Sequence, residues 1–141
     1  MNSLSIDKSK KFLFGGNSTF TVVSKKTNHR ITFKVKKLKS KDIYFVSYLF
    51  GKDNQNSFKF IGTIFGKNGS YNPSRKNNNN PNSKINKSFN WIYKSLIEES
   101  DEKFSQIEFF HEGKCGKCGR KLTVPSSIES GFGPHCEKNM N

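Results

Sequence analysis

Three cysteines and two of the three histidines of this 141-residue chain fall between His111 and Cys136. Cys115 and Cys118 stand two residues apart, the spacing at which one tight turn presents two sulfurs to a single ion. Gly116 and Gly119 suit the backbone angles of such a turn. Cys136 follows Gly131-Phe132-Gly133-Pro134, a second turn able to bring a third thiol to the same point. Structural zinc takes four Cys or His ligands in tetrahedral array. The pattern therefore predicts one structural Zn2+ per chain, held by Cys115, Cys118, Cys136 and a histidine. His111 and His135 both remain open as the fourth ligand. His111 is favoured, because neighbours in an extended segment point in opposite directions and Cys136 is already a ligand. Four protein ligands leave no position for a reactive water. His111-Glu112 lacks the second histidine of a zincin motif, and the zinc-deaminase pattern is absent. Asp42, Asp53, Glu108 and Glu112 are scattered, with no nucleophile–base pair or phosphate-cradling loop, so the reading is not an enzyme.

Residues 111–136 carry Cys-Gly-Lys-Cys-Gly-Arg-Lys-Leu-Thr at 115–123, Pro125-Ser126-Ser127-Ile128, and Gly-Phe-Gly-Pro-His-Cys at 131–136. This stretch resembles a small zinc-finger family of unknown function common at the C-terminus of bacteriophage and plasmid proteins. The resemblance covers a minor part of the chain but nearly the whole of that motif. It implies a treble-clef-like zinc fold, a mobile-element origin and no catalytic activity. It also supports His111 as the fourth ligand.

Met1 to Lys11 is polar and reads as a frayed end. Thr19–Ser24 has strand chemistry, and Lys25–His29 reads as a hairpin connection. Arg30–Lys36 alternates strictly, with Ile31, Phe33 and Val35 on one face and Thr32, Lys34 and Lys36 on the other. Asp42–Phe50 is apolar on both faces and reads as a central strand. Gly51–Asn54 reads as a turn, and Phe58–Phe65 as a fourth strand whose Gly62 marks a bulge or a close backbone approach. Residues 66–82 lose periodicity and read as a flexible loop. Phe89, Ile92, Tyr93, Leu96 and Ile97 form the apolar stripe of a helix, which Asp101–Lys103 breaks. Phe104–Phe110 reads as a strand leading into the cysteines. Ser126 and Glu129 have capping-box spacing, with Gly131 ending a short helical turn. The fold class is α+β: an antiparallel sheet of four to five strands with one packed helix. Residues 1–110 form this domain, and 111–141 a small C-terminal zinc-finger module.

The net charge of +14 is unevenly placed. Residues 1–97 hold 19 Lys and Arg against three acids, whereas 98–112 hold six acids against Lys103 alone. A basic domain implies an anionic partner, nucleic acid or a host nucleoprotein complex. Lys25, Lys26, Lys34, Lys36, Lys39, Lys84, Lys87, Trp91 and Lys94 are the residues expected to line one electropositive surface. Lysines would hold phosphates there and aromatics would stack on bases. The alternative is a protein-binding inhibitor of a host defence complex, an anti-CRISPR or similar protein acting by surface occlusion. With no secretory h-region and no apolar run of the roughly 20 residues that span a bilayer, the expected location is the cytoplasm of a bacterial host cell, away from membranes.

Overall fold

The computed structural model describes residues 3–50, 57–76 and 79–138. Six strands form one antiparallel sheet: β1 (Asn17–Ser24), β2 (Arg30–Lys37), β3 (Ile43–Leu49), β4 (Phe58–Phe65), β5 (Tyr71–Pro73) and β6 (Ile107–His111), in the order β5-β4-β3-β2-β1-β6. Helices α1 (Ile6–Leu13) and α2 (Lys84–Ile97) cover one face. The short helices α3 (Asp101–Phe104), α4 (Pro125–Ser130) and α5 (Pro134–Lys138) complete the chain. The α+β reading holds, with six strands in place of four to five. Among the described residues, no helix is long and apolar enough to cross a membrane.

The alternation in β2 sets which face is buried. Phe33 and Val35 are fully buried, and Ile31 packs at the margin of the same core. Phe20 and Val22 of β1, Tyr44 and Val46 of β3, Ile61 and Ile64 of β4, and Phe109 of β6 continue that face. Helix α2 lays Phe89, Ile92, Tyr93 and Leu96 against it, as the stripe predicts. The Phe89 and Phe33 rings meet edge to face at 5.1 Å. Such rings are the chain's main apolar resource, each worth about 1.5–3 kcal/mol when fully buried.

Several expectations are corrected. From Ser5 onward the N-terminal stretch is not frayed: Ser5 caps α1 by accepting from the Lys8 amide, and Phe12 and Leu13 are fully buried. The polar sequence there masks a helix whose few apolar residues meet distant partners. Residues 66–82 contain edge strand β5, which adds to β4, so this segment is not a loop throughout. Residues 101–104 do not break a helix but form one, capped by Ser100; the break lies at Glu98–Ser100, with Glu99 at φ 50°. Phe104 therefore belongs to α3, and β6 begins at Ile107. Strand β3 is central, yet the described residues cover only one of its faces: Phe45 is 37% exposed on the other. The expected turn at Gly51–Asn54 lies outside the described residues. At Gly62 the expectation holds. The β3–β4 register shifts there, and a Cβ would stand 2.6 Å from the Tyr71 ring.

Candidate metal centre and the basic faces

Strand β6 leads directly into the cysteine segment, and the backbone then doubles back on itself. Cys115 N–H donates to the Arg120 carbonyl at 2.8 Å, Gly119 N–H to the Cys115 carbonyl at 2.9 Å, and Leu122 N–H to the Gly113 carbonyl at 2.7 Å. Gly119 closes this knuckle at φ 79°, in the left-handed region that favours glycine. Gly116 has a different role from the one its position suggests: a Cβ there would stand 2.8 Å from the Phe12 ring. Its carbonyl accepts from the Asn17 amide at 2.8 Å, and its N–H donates to the Gly131 carbonyl at 2.9 Å. The knuckle is thus fastened to β1, to α1 and to the end of α4. Cys115, Leu122 and Phe132 belong to the same buried cluster as the sheet's aromatics.

Helix α4 starts with Pro125 at its first position and ends at Gly131, φ 85°. No side chain caps it, so the Ser126–Glu129 capping box does not form; proline's fixed φ does that work. Gly133 then turns the chain into α5, which carries His135 and Cys136.

These turns bring the Sγ atoms of Cys115, Cys118 and Cys136 within 4.8 Å of one another. Sulfurs bound to one zinc at about 2.3 Å lie roughly 3.8 Å apart in a tetrahedron, so small side-chain movements complete such a set. Two amides already point at one sulfur: Lys117 N–H at 3.4 Å and Gly133 N–H at 3.3 Å from Cys115 Sγ. Burial raises the Cys115 thiol's pKa. The backbone N–H groups of Cys118, Gly133 and Lys117, with the Cys118 side chain, more than reverse this and bring it to about 7. Cys136 is pushed up to about 11 by burial, by hydrogen bonds with Cys118 and Cys115, and by their charge. Near pH 7 the first thiol is therefore divided between its neutral and ionised forms. The third needs a cation beside it to ionise at neutral pH. Three thiols so placed can bind a metal ion.

His111 is not brought to these thiols. Its ring is buried beside Phe12, centroids 5.7 Å apart. The Gly113 amide donates to Nδ1 at 2.9 Å, and Nε2 lies 2.5 Å from the Ile128 carbonyl, so both nitrogens fasten backbone. His135 lines the same cleft as the three cysteines, with Arg120, Lys121 and Ser127. The objection to adjacent ligands assumed an extended segment. In helix α5 residues 135 and 136 diverge by about 100°, which lets both face one cleft.

The nine expected nucleic-acid residues do not share one surface. Lys26, Lys84, Lys87 and Trp91 come together around a groove of about 710 Å³ between α2 and the β1–β2 hairpin end, over Val22, Ile31, Ile85 and Ile107. His29 stands on the same rim, a residue the sequence reading left out although it closes the hairpin beside Lys26. Lys94 faces a second depression, with Asn90, Tyr93 and Gly69. Lys34 and Lys36 alternate with buried Phe33 and Val35, so they project from the sheet face opposite α2. Lys25 is exposed at the hairpin, its amide bonded to the Gln106 carbonyl, and Lys39 lies in the β2–β3 turn at the far end of the strands.

Residues 108–141 match a family of unknown function, DUF6011; the match takes in most of β6, the knuckle, α4 and α5. No curated protein and no solved structure matches the chain.

Proposed function

We propose that this chain is a small accessory protein of a mobile element that binds nucleic acid, with a zinc ion holding its C-terminal segment in place. The groove beside α2 carries the nucleic-acid reading. Lys26, Lys84 and Lys87 surround an apolar floor, with the half-exposed Trp91 ring on its wall. Lysines at a groove rim attract phosphates, and an indole offers a base a stacking surface. Zinc is the metal that a thiolate set suits, and His135 completes the tetrahedron from α5. With four protein ligands the zinc supplies rigidity rather than a reactive water. The protein then acts by binding and not by catalysis.

Fluorescence anisotropy with a labelled oligonucleotide across a salt series tests the groove. Affinity should fall steeply with salt, and Lys84→Gln/Lys87→Gln should weaken binding and flatten the salt slope. Salt-independent binding, or a double variant that matches the parent, would refute the reading. Metal analysis tests the zinc: close to one per chain, with His135→Ala weakening retention more than His111→Ala.

A further inference from the structure

We propose that the open face of the sheet is a second binding surface, one that stacks unpaired bases of a single-stranded nucleic acid on Phe45 and Phe60. The face opposite α1 and α2 carries Phe45 of β3 and Phe58, Phe60 and Phe65 of β4. Phe45 is 37% exposed and Phe65 59%, in a chain whose hydrophobic content is only 32%. Leaving such rings in water while the core is short of apolar side chains marks a surface kept for contact.

The register sets charges among the rings. Lys36 stands opposite Phe45, Lys34 opposite Ser47, and Ser47 opposite Phe60. Phe45 and Phe60 meet edge to face, 6.1 Å apart, and Lys34 Nζ lies 5.5 Å over the Phe58 ring. The pattern is rows of aromatic carbon with ammonium groups one or two strands away. Base faces need the first and phosphates the second.

Charge selects the occupant. On this face Arg30, Lys34 and Lys36 cluster on β2, while the acids Glu108 and Glu112 lie at the β6 edge, where Thr21 donates to Glu112. The rings are flanked by these cations and lie away from the acids, which suits an anionic strand better than a second, equally basic copy of the chain. A duplex hides its base faces within the stack, so the rings favour a single strand. This inference takes only the class of partner from the groove reading; its residues are separate.

The test uses the full-length, metal-loaded protein with labelled oligo-dT and oligo-U of about 15 nucleotides and a duplex of equal length. Phe45→Ala should lose about ten-fold in single-strand affinity, Phe45→Tyr should retain it, and Lys34→Gln/Lys36→Gln should weaken both oligonucleotides. Photo-crosslinking with 5-iodouracil oligonucleotides should label peptides containing Phe45 or Phe60, which decides the matter on the native chain should a variant misfold. Parental affinity in both sheet variants, crosslinks confined to Trp91, duplex binding as tight as single-strand binding, or burial of this face in a dimer or against a protein would each overturn it. Loss of binding in Lys84→Gln/Lys87→Gln alone would support the groove and defeat the sheet. The reverse result would do the opposite. Comparing oligo-dT with oligo-U separates DNA from RNA.

Discussion

The two edges of the sheet face the same task and meet it with different chemistry. Beyond β6, a knuckle and the short helices α4 and α5 gather around three thiols. Beyond β4, the described residues of 66–83 gather around Asn79 and, from α2, Asn86. Asn79 Nδ2 donates to the Ile61 carbonyl at 3.0 Å and to that of Ser74. Asn86 Nδ2 donates to Asn79 Oδ1 at 3.0 Å and the Asn80 carbonyl at 2.8 Å, while Tyr71 Oη donates to Asn86 Oδ1 at 2.7 Å. Tyr93 Oη reaches the Gly69 carbonyl at 2.5 Å. Among the described residues no buried side-chain nitrogen or oxygen lacks a partner, so the asparagine clamp is complete within the chain. The thiol end differs: three sulfurs within 4.8 Å of one another form a set that can bind a metal ion. On the zinc reading proposed above, one edge is self-sufficient and the other depends on a component from solution.

The largest expected effect follows from that dependence. Chelation should release residues 112–138, since structural zinc contributes apparent binding energies of about 10–16 kcal/mol in small zinc domains. Hydrogen exchange should accelerate from the knuckle to α5 and leave the Asn79–Asn86 clamp protected; equal loss at both edges would collapse the distinction. The same logic gives a pH dependence. The metal needs thiolates, so protons compete more strongly as pH falls. Below about 7 Cys115 also carries a proton, and affinity should drop faster there than above, read by metal competition at several pH values.

Next in size is Phe12→Ala. Its ring meets Phe109 at 6.4 Å and Phe132 at 5.8 Å, which joins α1, the sheet and the cysteine segment. Removal should cost about 3–5 kcal/mol in denaturant unfolding and weaken metal retention as well. A stability loss with metal affinity intact would show that α1 supports the sheet alone. Asn86→Ala should cost less, about 2–3 kcal/mol, by stranding Tyr71 Oη and the Asn80 carbonyl. That loss should be the same with and without metal, because the clamp lies at the other edge.

The same contrast explains what could be read from the residues. The cysteines were legible because ligand spacing is local: two residues and one turn define a knuckle. Strand β2 and the α2 stripe were legible because alternation and 3.6-residue periodicity are local too. Helix α1 was not. Its Lys8, Lys10 and Lys11 hide a buried Phe12 whose partners, Gly116, Gly131 and Phe132, lie more than a hundred residues away. Strand β5 is three residues long and is held by Tyr71 and the asparagines rather than by any periodicity. The argument against His135 rested on an extended segment, whereas residues 134–138 are helical after the Gly133 turn. The sheet's open face escaped notice because an apolar run such as Tyr44-Phe45-Val46 looks the same whether one face or both are covered.

The smallest expected effect separates packing from charge at the thiol edge. Lys8 of α1 and Glu129 of α4 form an ion pair at 3.5 Å, a polar link between these helices. Its side chains are 44% and 77% exposed, so water and salt screen it. Lys8→Ala should therefore change stability by less than about 0.5 kcal/mol and leave metal affinity unaltered. The burden falls instead on Phe12 against His111 and on the Ile128 carbonyl accepting from that ring. His111→Phe keeps the ring's bulk but strands the Ile128 carbonyl and the Gly113 amide, so it should cost more than Lys8→Ala while the chain retains its metal. If metal is lost with His111→Phe and kept with His135→Ala, the histidine beside Phe12 is a ligand after all. The cysteine segment would then be tied to the sheet by its metal as well as by its packing.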